Sequence, residues 1–188
     1  MLRKISDCLY RVSSGRLAIL STVIMLLFLM LVMPGETAKA AVYSAQTGTP
    51  DTTAIYSVDR LLGLAAAYGA QGRQAYIHAR FTFDLAFPLV YGFFLSICTS
   101  WMLKRLLSLN GRWRHLNLLP LGAVLFDLLE NICAVIVMAA YPAVPSIAAY
   151  LAVVFTPVKW LFVGASFGLL AAASVGAILH SRRKPGTR

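Results

Sequence analysis

Residues Leu116–Ala140 read LNLLPLGAVLFDLLENICAVIVMAA, 25 residues in which only Asp127 and Glu130 carry a charge. A helix needs ~20 mostly apolar residues to cross a bilayer, so this stretch is long enough to span one. Its two acids stand with Asn131 at positions i, i+3 and i+4, which places all three on one helical face near the middle of the span. Three further runs flank it. Leu17–Met33 comes first and is expected to end at the breaker Pro34-Gly35. Phe81–Leu103 follows, interrupted by Asp84 and Pro88. Ile147–Leu179 is the last and carries Pro157 and Lys159. At 1.5 Å per residue it is ~50 Å long against a ~30 Å hydrocarbon core, so it must tilt, kink at Pro157 or project. The expected fold is an all-α, integral membrane four-helix bundle. It forms one membrane domain over residues 1–188, with spans near 17–33, 81–103, 116–140 and 147–179, and an extracytoplasmic loop over 34–80.

Composition agrees. The 188 residues are 59% hydrophobic and 13% charged, against roughly 25% charged in soluble domains. Mean hydropathy is +0.74. These values exclude a soluble enzyme, a disordered tail and a disulfide-built secreted domain. Cys8, Cys98 and Cys133 are scattered, with no Cys-x-x-Cys pair for redox exchange or metal binding, which excludes a quinone-linked thiol oxidoreductase. They read as small hydrophobes in helices.

The formal charge of +10 is mostly a topology signal. With four spans, twelve basic residues at the N-terminus, the second connection and the C-terminal tail share one side with a single acid, Asp7. The other side holds Lys39, Arg60, Arg73 and Arg80 against Glu36, Asp51 and Asp59. Both termini are therefore expected in the cytoplasm, the chain sitting in a bacterial inner (plasma) membrane. A competing reading treats the first run as a secretory signal cleaved near Ala38-Lys39-Ala40, although its 17 residues exceed the usual 7–15. Within the loop, Gly48-Thr49-Pro50-Asp51 reads as a turn. Ser57 as N-cap, Tyr56 and Leu61 as a hydrophobic staple and Gly69 as a stop predict a helix over Val58–Tyr68.

The ionisable residues inside the spans carry the functional information, because each costs ~2.5–3.5 kcal/mol at the bilayer centre unless partnered. They are Asp84, Asp127, Glu130 and Lys159. Arg73, Tyr76, Arg80, Asp84 and Tyr91 form a stripe along the second span, and Thr156 shares a face with Lys159. The expectation is that three faces meet, with Lys159 neutralised by Glu130 or Asp127, and Asp84 satisfied by Arg80 or Tyr91. Three carboxylates against one ammonium leave an interior surplus of two negatives. A shared proton or a bound cation resolves it. The alternative is a structural network that only fixes helix register. Lys159 is central counted from Ile147, but counted back from Leu179 it nears the interface, where it would snorkel.

Other patterns carry less. Gly164-Ala165-Ser166-Phe167-Gly168 has the letters of a serine-nucleophile elbow but sits mid-helix. Gly164, Gly168, Ala172 and Gly176 read instead as a close-packing seam. His78, His115 and His180 lie near span ends with no companion ligand, so no metal site is read. Trp101, Trp113 and Tyr141 suit interfacial anchoring. The basic clusters suit anionic lipid, not nucleic acid.

Taken together, Gly48-Thr49-Pro50-Asp51, Tyr56-Ser57, Tyr68-Gly69, Gly72-Arg73-Gln74-Ala75-Tyr76, Arg80-Phe81-Thr82-Phe83-Asp84, Phe87-Pro88-Leu89-Val90-Tyr91, Leu125-Phe126-Asp127-Leu128-Leu129-Glu130-Asn131, Phe155-Thr156 and Lys159-Trp160 resemble an uncharacterised family of small bacterial four-span integral membrane proteins. The resemblance runs from the outer loop onward and implies an uncleaved four-helix protein; it carries over no activity, catalytic residue or cofactor. The aspartate-dyad pattern of lipoprotein signal peptidases is not found, and small multidrug antiporters are shorter and lack the outer loop. The expected function is binding or handling of a small molecule, lipid or ion at an intramembrane site formed by Asp84, Asp127, Glu130, Asn131 and Lys159, with Arg80 and Tyr91 on the outer approach. The alternatives are an accessory membrane protein that holds a protein partner or a second copy, and an intramembrane enzyme with a carboxylate acid/base pair.

Overall fold

An apolar segment surrounded by lipid can satisfy its backbone polar groups only by folding into a helix or a closed barrel. The computed structural model describes residues 1–50, 53–106 and 112–183, and among them no strand occurs. Asp51, the 184–188 tail and the side chains of Arg112, His180, Arg182 and Arg183 lie outside the described residues. A short helix α1 (Leu2–Val12) precedes α2 (Gly15–Leu27), which runs through a π-helical turn, Phe28–Val32, into α3 (Met33–Tyr43). Then come α4 (Val58–Ala67), α5 (Gly69–Phe81), α6 (Phe83–Leu106), a 3-10 segment Arg112–Leu118, α7 (Leu119–Ala140) and α8 (Ser146–Arg183). Among the described residues four helical stretches are long and apolar enough to span a bilayer: Gly15–Tyr43, Gly69–Leu106, Trp113–Ala140 and Ser146–Leu179. The chain is a multi-pass membrane protein with an all-α bundle.

Two boundaries differ from the sequence expectation, each for a local reason. The first span does not stop at Pro34. A proline inside an α-helix collides with the carbonyl four residues back and removes one donor. Here the turn before it widens, the Met33 amide bonding to the Phe28 carbonyl, and the helix continues to Tyr43. The second helix starts well before Phe81 but breaks at Thr82 (φ −114°, ψ −84°), whose amide turns back to the Ala79 carbonyl at 3.2 Å.

The helix read over Val58–Tyr68 is present as α4. The Ser57 hydroxyl accepts from the Arg60 amide at 3.1 Å, and Gly69 takes φ +62°, the left-handed region a glycine enters without strain. Leu61, Leu64 and Ala65, at i, i+3 and i+4, are fully buried. They pack with Tyr56, Tyr68 and Tyr76 against Val137 and Met138 of α7 and Ala148, Ala149 and Ala152 of α8. This helix rests on the bundle.

The close-packing seam of α8 holds only at its last position. A Cβ built on Gly164 or Gly168 meets nothing within 4 Å, whereas one on Gly176 would lie 3.1 Å from Leu106 Cδ1; Ala172 is exposed. Nearer the start of α8 the small buried residues are Ala148, Ala149 and Ala152, in register with buried Thr156, Lys159, Ser166 and Ala173. That face was already set by Lys159.

At the other end of the bundle α1 is fastened to the second connection. The Ser6 hydroxyl donates to Asn117 Oδ1 at 2.8 Å. The Asn117 amide donates to the Ser6 carbonyl and the Ser100 hydroxyl, each at 3.2 Å. Asp7 pairs with Arg114, and the Tyr10 hydroxyl donates to the Arg114 carbonyl at 2.7 Å. Burial pushes that hydroxyl up to about 12, so it remains a donor across the ordinary pH range.

Gly72 sits at a close approach of α3 to α5: a Cβ there would lie 2.5 Å from the Tyr43 carbonyl oxygen, a backbone atom. Gly72→Ala is therefore expected to destabilise the protein by about 1–3 kcal/mol, read as a lowered midpoint of thermal unfolding in detergent.

Candidate functional site

Pro88 has no amide hydrogen, so the Asp84 carbonyl one turn back loses its helical donor. Asn131 on α7 supplies one: its Nδ2 donates to that carbonyl at 3.1 Å. The break at Thr82 sets Arg80 in the last turn of α5 and Asp84 in the first turn of α6. Each charge thus complements the partial charge of its own helix end. Arg80 Nη1 lies 3.0 Å from Asp84 Oδ2 and donates to Asn131 Oδ1 at 3.3 Å. The guanidinium rests on the Tyr76 ring, 4.2 Å from its centroid.

Asp127 connects this half of the cluster to the other. The Tyr91 hydroxyl donates to its Oδ2 at 2.9 Å, and Asn131 Nδ2 lies 3.5 Å from its Oδ1. The same Oδ1 stands 3.5 Å from Lys159 Nζ, which also pairs with Glu130. Lys159 is 5% exposed and Glu130 2%, so the ammonium is held inside the protein and does not snorkel. Thr156, one turn before it, donates to the Ala152 carbonyl, and its oxygen lies 3.1 Å from the Tyr56 hydroxyl.

All seven residues expected to form the site are therefore brought together. Two members of the stripe on the second span have other places. Arg80 is not on an outer approach; it is 5% exposed and part of the cluster. With it the interior surplus falls from two negatives to one, since Asp84, Asp127 and Glu130 face Arg80 and Lys159. Arg73 turns away, its guanidinium 5.0 Å over the Tyr141 ring and donating to the Ala65 carbonyl at 3.0 Å. Asn131, expected as a binding residue, is committed to the carbonyl freed by Pro88 and to Arg80.

A cavity of about 510 Å³ opens beside the cluster. Arg80, Asp84, Tyr91, Asp127 and Lys159 supply polar groups to its lining. Phe83, Phe87, Val163 and Phe167 supply apolar surface, Phe83 and Phe87 being stacked on each other and on Phe28. The wall from the first span, including Met25, Met33, Glu36 and Ala40, was not anticipated. Reading Pro34 as a stop put Glu36 and Ala40 into a loop. Their spacing with Tyr43, at i, i+4 and i+7, is the helical signal that would have recovered them.

Comparison with protein-family models, curated proteins and solved structures finds no match.

Removing Asn131 strands a buried carbonyl, so Asn131→Leu is expected to cost about 1–3 kcal/mol. Pro88→Ala restores the missing amide. In that background the cost of Asn131→Leu is expected to shrink, which a double-mutant cycle of unfolding midpoints measures.

Proposed function

We propose that this chain binds or handles a small molecule, lipid or ion at the polar cluster of α5–α8, as a multi-pass protein of a bacterial inner membrane with both termini cytoplasmic. The observation that carries the reading is the cavity. A network whose task is to fix helix register is best sealed, because open space beside a charge in low dielectric forfeits contacts and gains no partner. Here Asp84, Asp127, Arg80 and Lys159 all border an amphiphilic space of about 510 Å³, within the size range of ligand pockets. Glu130 and Asn131 stand behind them as support. One negative charge in excess leaves the cluster able to accept a proton or a cation.

Native mass spectrometry of the full chain released from lipid nanodiscs tests this. A bound species is expected on the native protein and absent from Ala40→Trp, which fills the cavity from the first span without touching the cluster. An adduct carried equally by both proteins would overturn the reading.

A second reading, that of an accessory protein held together by these charges, is favoured by the Asn131 contact to Asp84 and by Lys159 joining α7 to α8. Under it, Lys159→Met alone should cost about 3–5 kcal/mol, by leaving buried carboxylates uncompensated. Adding Glu130→Gln should restore most of that, and cavity-filling by Ala40→Trp should leave activity in the cell intact. Under the binding reading the double variant recovers stability without recovering activity.

A further inference from the structure

The lining of the cavity makes two demands on an occupant. Phe83, Phe87, Val163 and Phe167 present apolar surface, and Trp160 and Phe167 both line the cavity and remain more than 40% exposed on the bundle surface. An apolar body is matched by these side chains. The charged part of the lining is acidic on balance. Both of its cations already face carboxylates, Arg80 with Asp84 and Lys159 with Asp127 and Glu130. Glu36, at the first-span wall, is engaged with Lys39 at 2.7 Å.

Three classes of occupant fit this poorly. An anionic amphiphile would deepen the negative excess in a medium where charge is costly to concentrate. A neutral one makes no use of the excess, which a shared proton would then have to offset. A divalent metal needs several converging oxygens, and among the described residues no group of three His, Cys, Asp or Glu side chains is placed to hold one. A single positive charge carried on an apolar body meets both demands. Such an ion is weakly hydrated, so its transfer out of water costs less than that of a compact ammonium, and aromatic rings add attraction.

We infer that the cavity takes a hydrophobic organic monocation, of the ammonium or phosphonium kind, with its charge beside Asp127 and its body among the aromatic side chains. The inference rests on the reading that this cavity is a binding site. It is tested with two ions of nearly equal size and opposite charge, tetraphenylphosphonium and tetraphenylborate, on the full chain in nanodiscs of phosphatidylcholine. Saturable binding of the phosphonium is expected, with no displacement by the borate. Asp127→Asn is expected to weaken it about tenfold or more. Ala40→Trp, whose cluster is intact, is expected to abolish it with the unfolding midpoint unchanged, which guards against loss through misfolding. Saturable borate binding that Ala40→Trp removes would overturn the sign of the ligand and leave the binding site standing. Failure of both ions on a protein that still carries a cavity-dependent adduct would overturn the cation alone. Phosphonium binding indifferent to both variants would overturn the inference, since the ion would then sit elsewhere.

Discussion

A buried ammonium has to be neutralised where it stands, and the bundle is arranged around that requirement. Lys159 on α8 meets Asp127 and Glu130, which project from one face of α7 because they are three residues apart. Asp127 in turn holds the Tyr91 hydroxyl of α6, and Asn131 reaches both Arg80 and the backbone of Asp84. Sliding any of these helices by one turn, about 5.4 Å, would separate charge from countercharge. The α5–α8 unit therefore has one permitted register, and α7 supplies its hub.

The first span is not part of that bargain. It packs on α6 through Ala18 and Ser21 against Ile97 and Cys98 and through Met25 against Tyr91 and Leu95, and its own acid pairs locally with Lys39. The cavity lies where a helix packed by apolar and weak thiol–hydroxyl contacts borders helices held by charge. The π-turn at Phe28–Val32 sits at the same level, with Phe28 stacked against Phe83 and Phe87. Widened turns of this type concentrate at functional positions.

Much of this was legible in the residues. Run length and the scarcity of charge set the number of spans, and Ser57 and Gly69 marked both ends of α4, because caps are local chemistry. The meeting of Asp84, Asp127, Glu130 and Lys159 followed from the cost of leaving any of them alone. What could not be read depended on three-dimensional context. Pro34 is a breaker only where the preceding turn cannot widen. The Gly164 stripe and the Ala148–Ala152 face are equally small, and spacing does not say which one meets a neighbour. Arg73 and Arg80 lie on the same stripe, yet one stacks on Tyr141 and the other enters the cluster, a difference fixed by Asn131 and the break at Thr82.

The fastening of α1 has a consequence for how the chain is made. Ser6 and Asn117 are 111 residues apart in sequence, so their bond cannot form until the second span and the connection after it have been synthesised. At ribosomal rates of about 5–20 residues per second, that is a delay on the order of ten seconds. During it the side of α1 that ends up against the 3-10 segment, Ser6 and Tyr10, has no protein to meet. Docking of the first-made helix thus waits on the second span and its following connection, and it reports that both are in place.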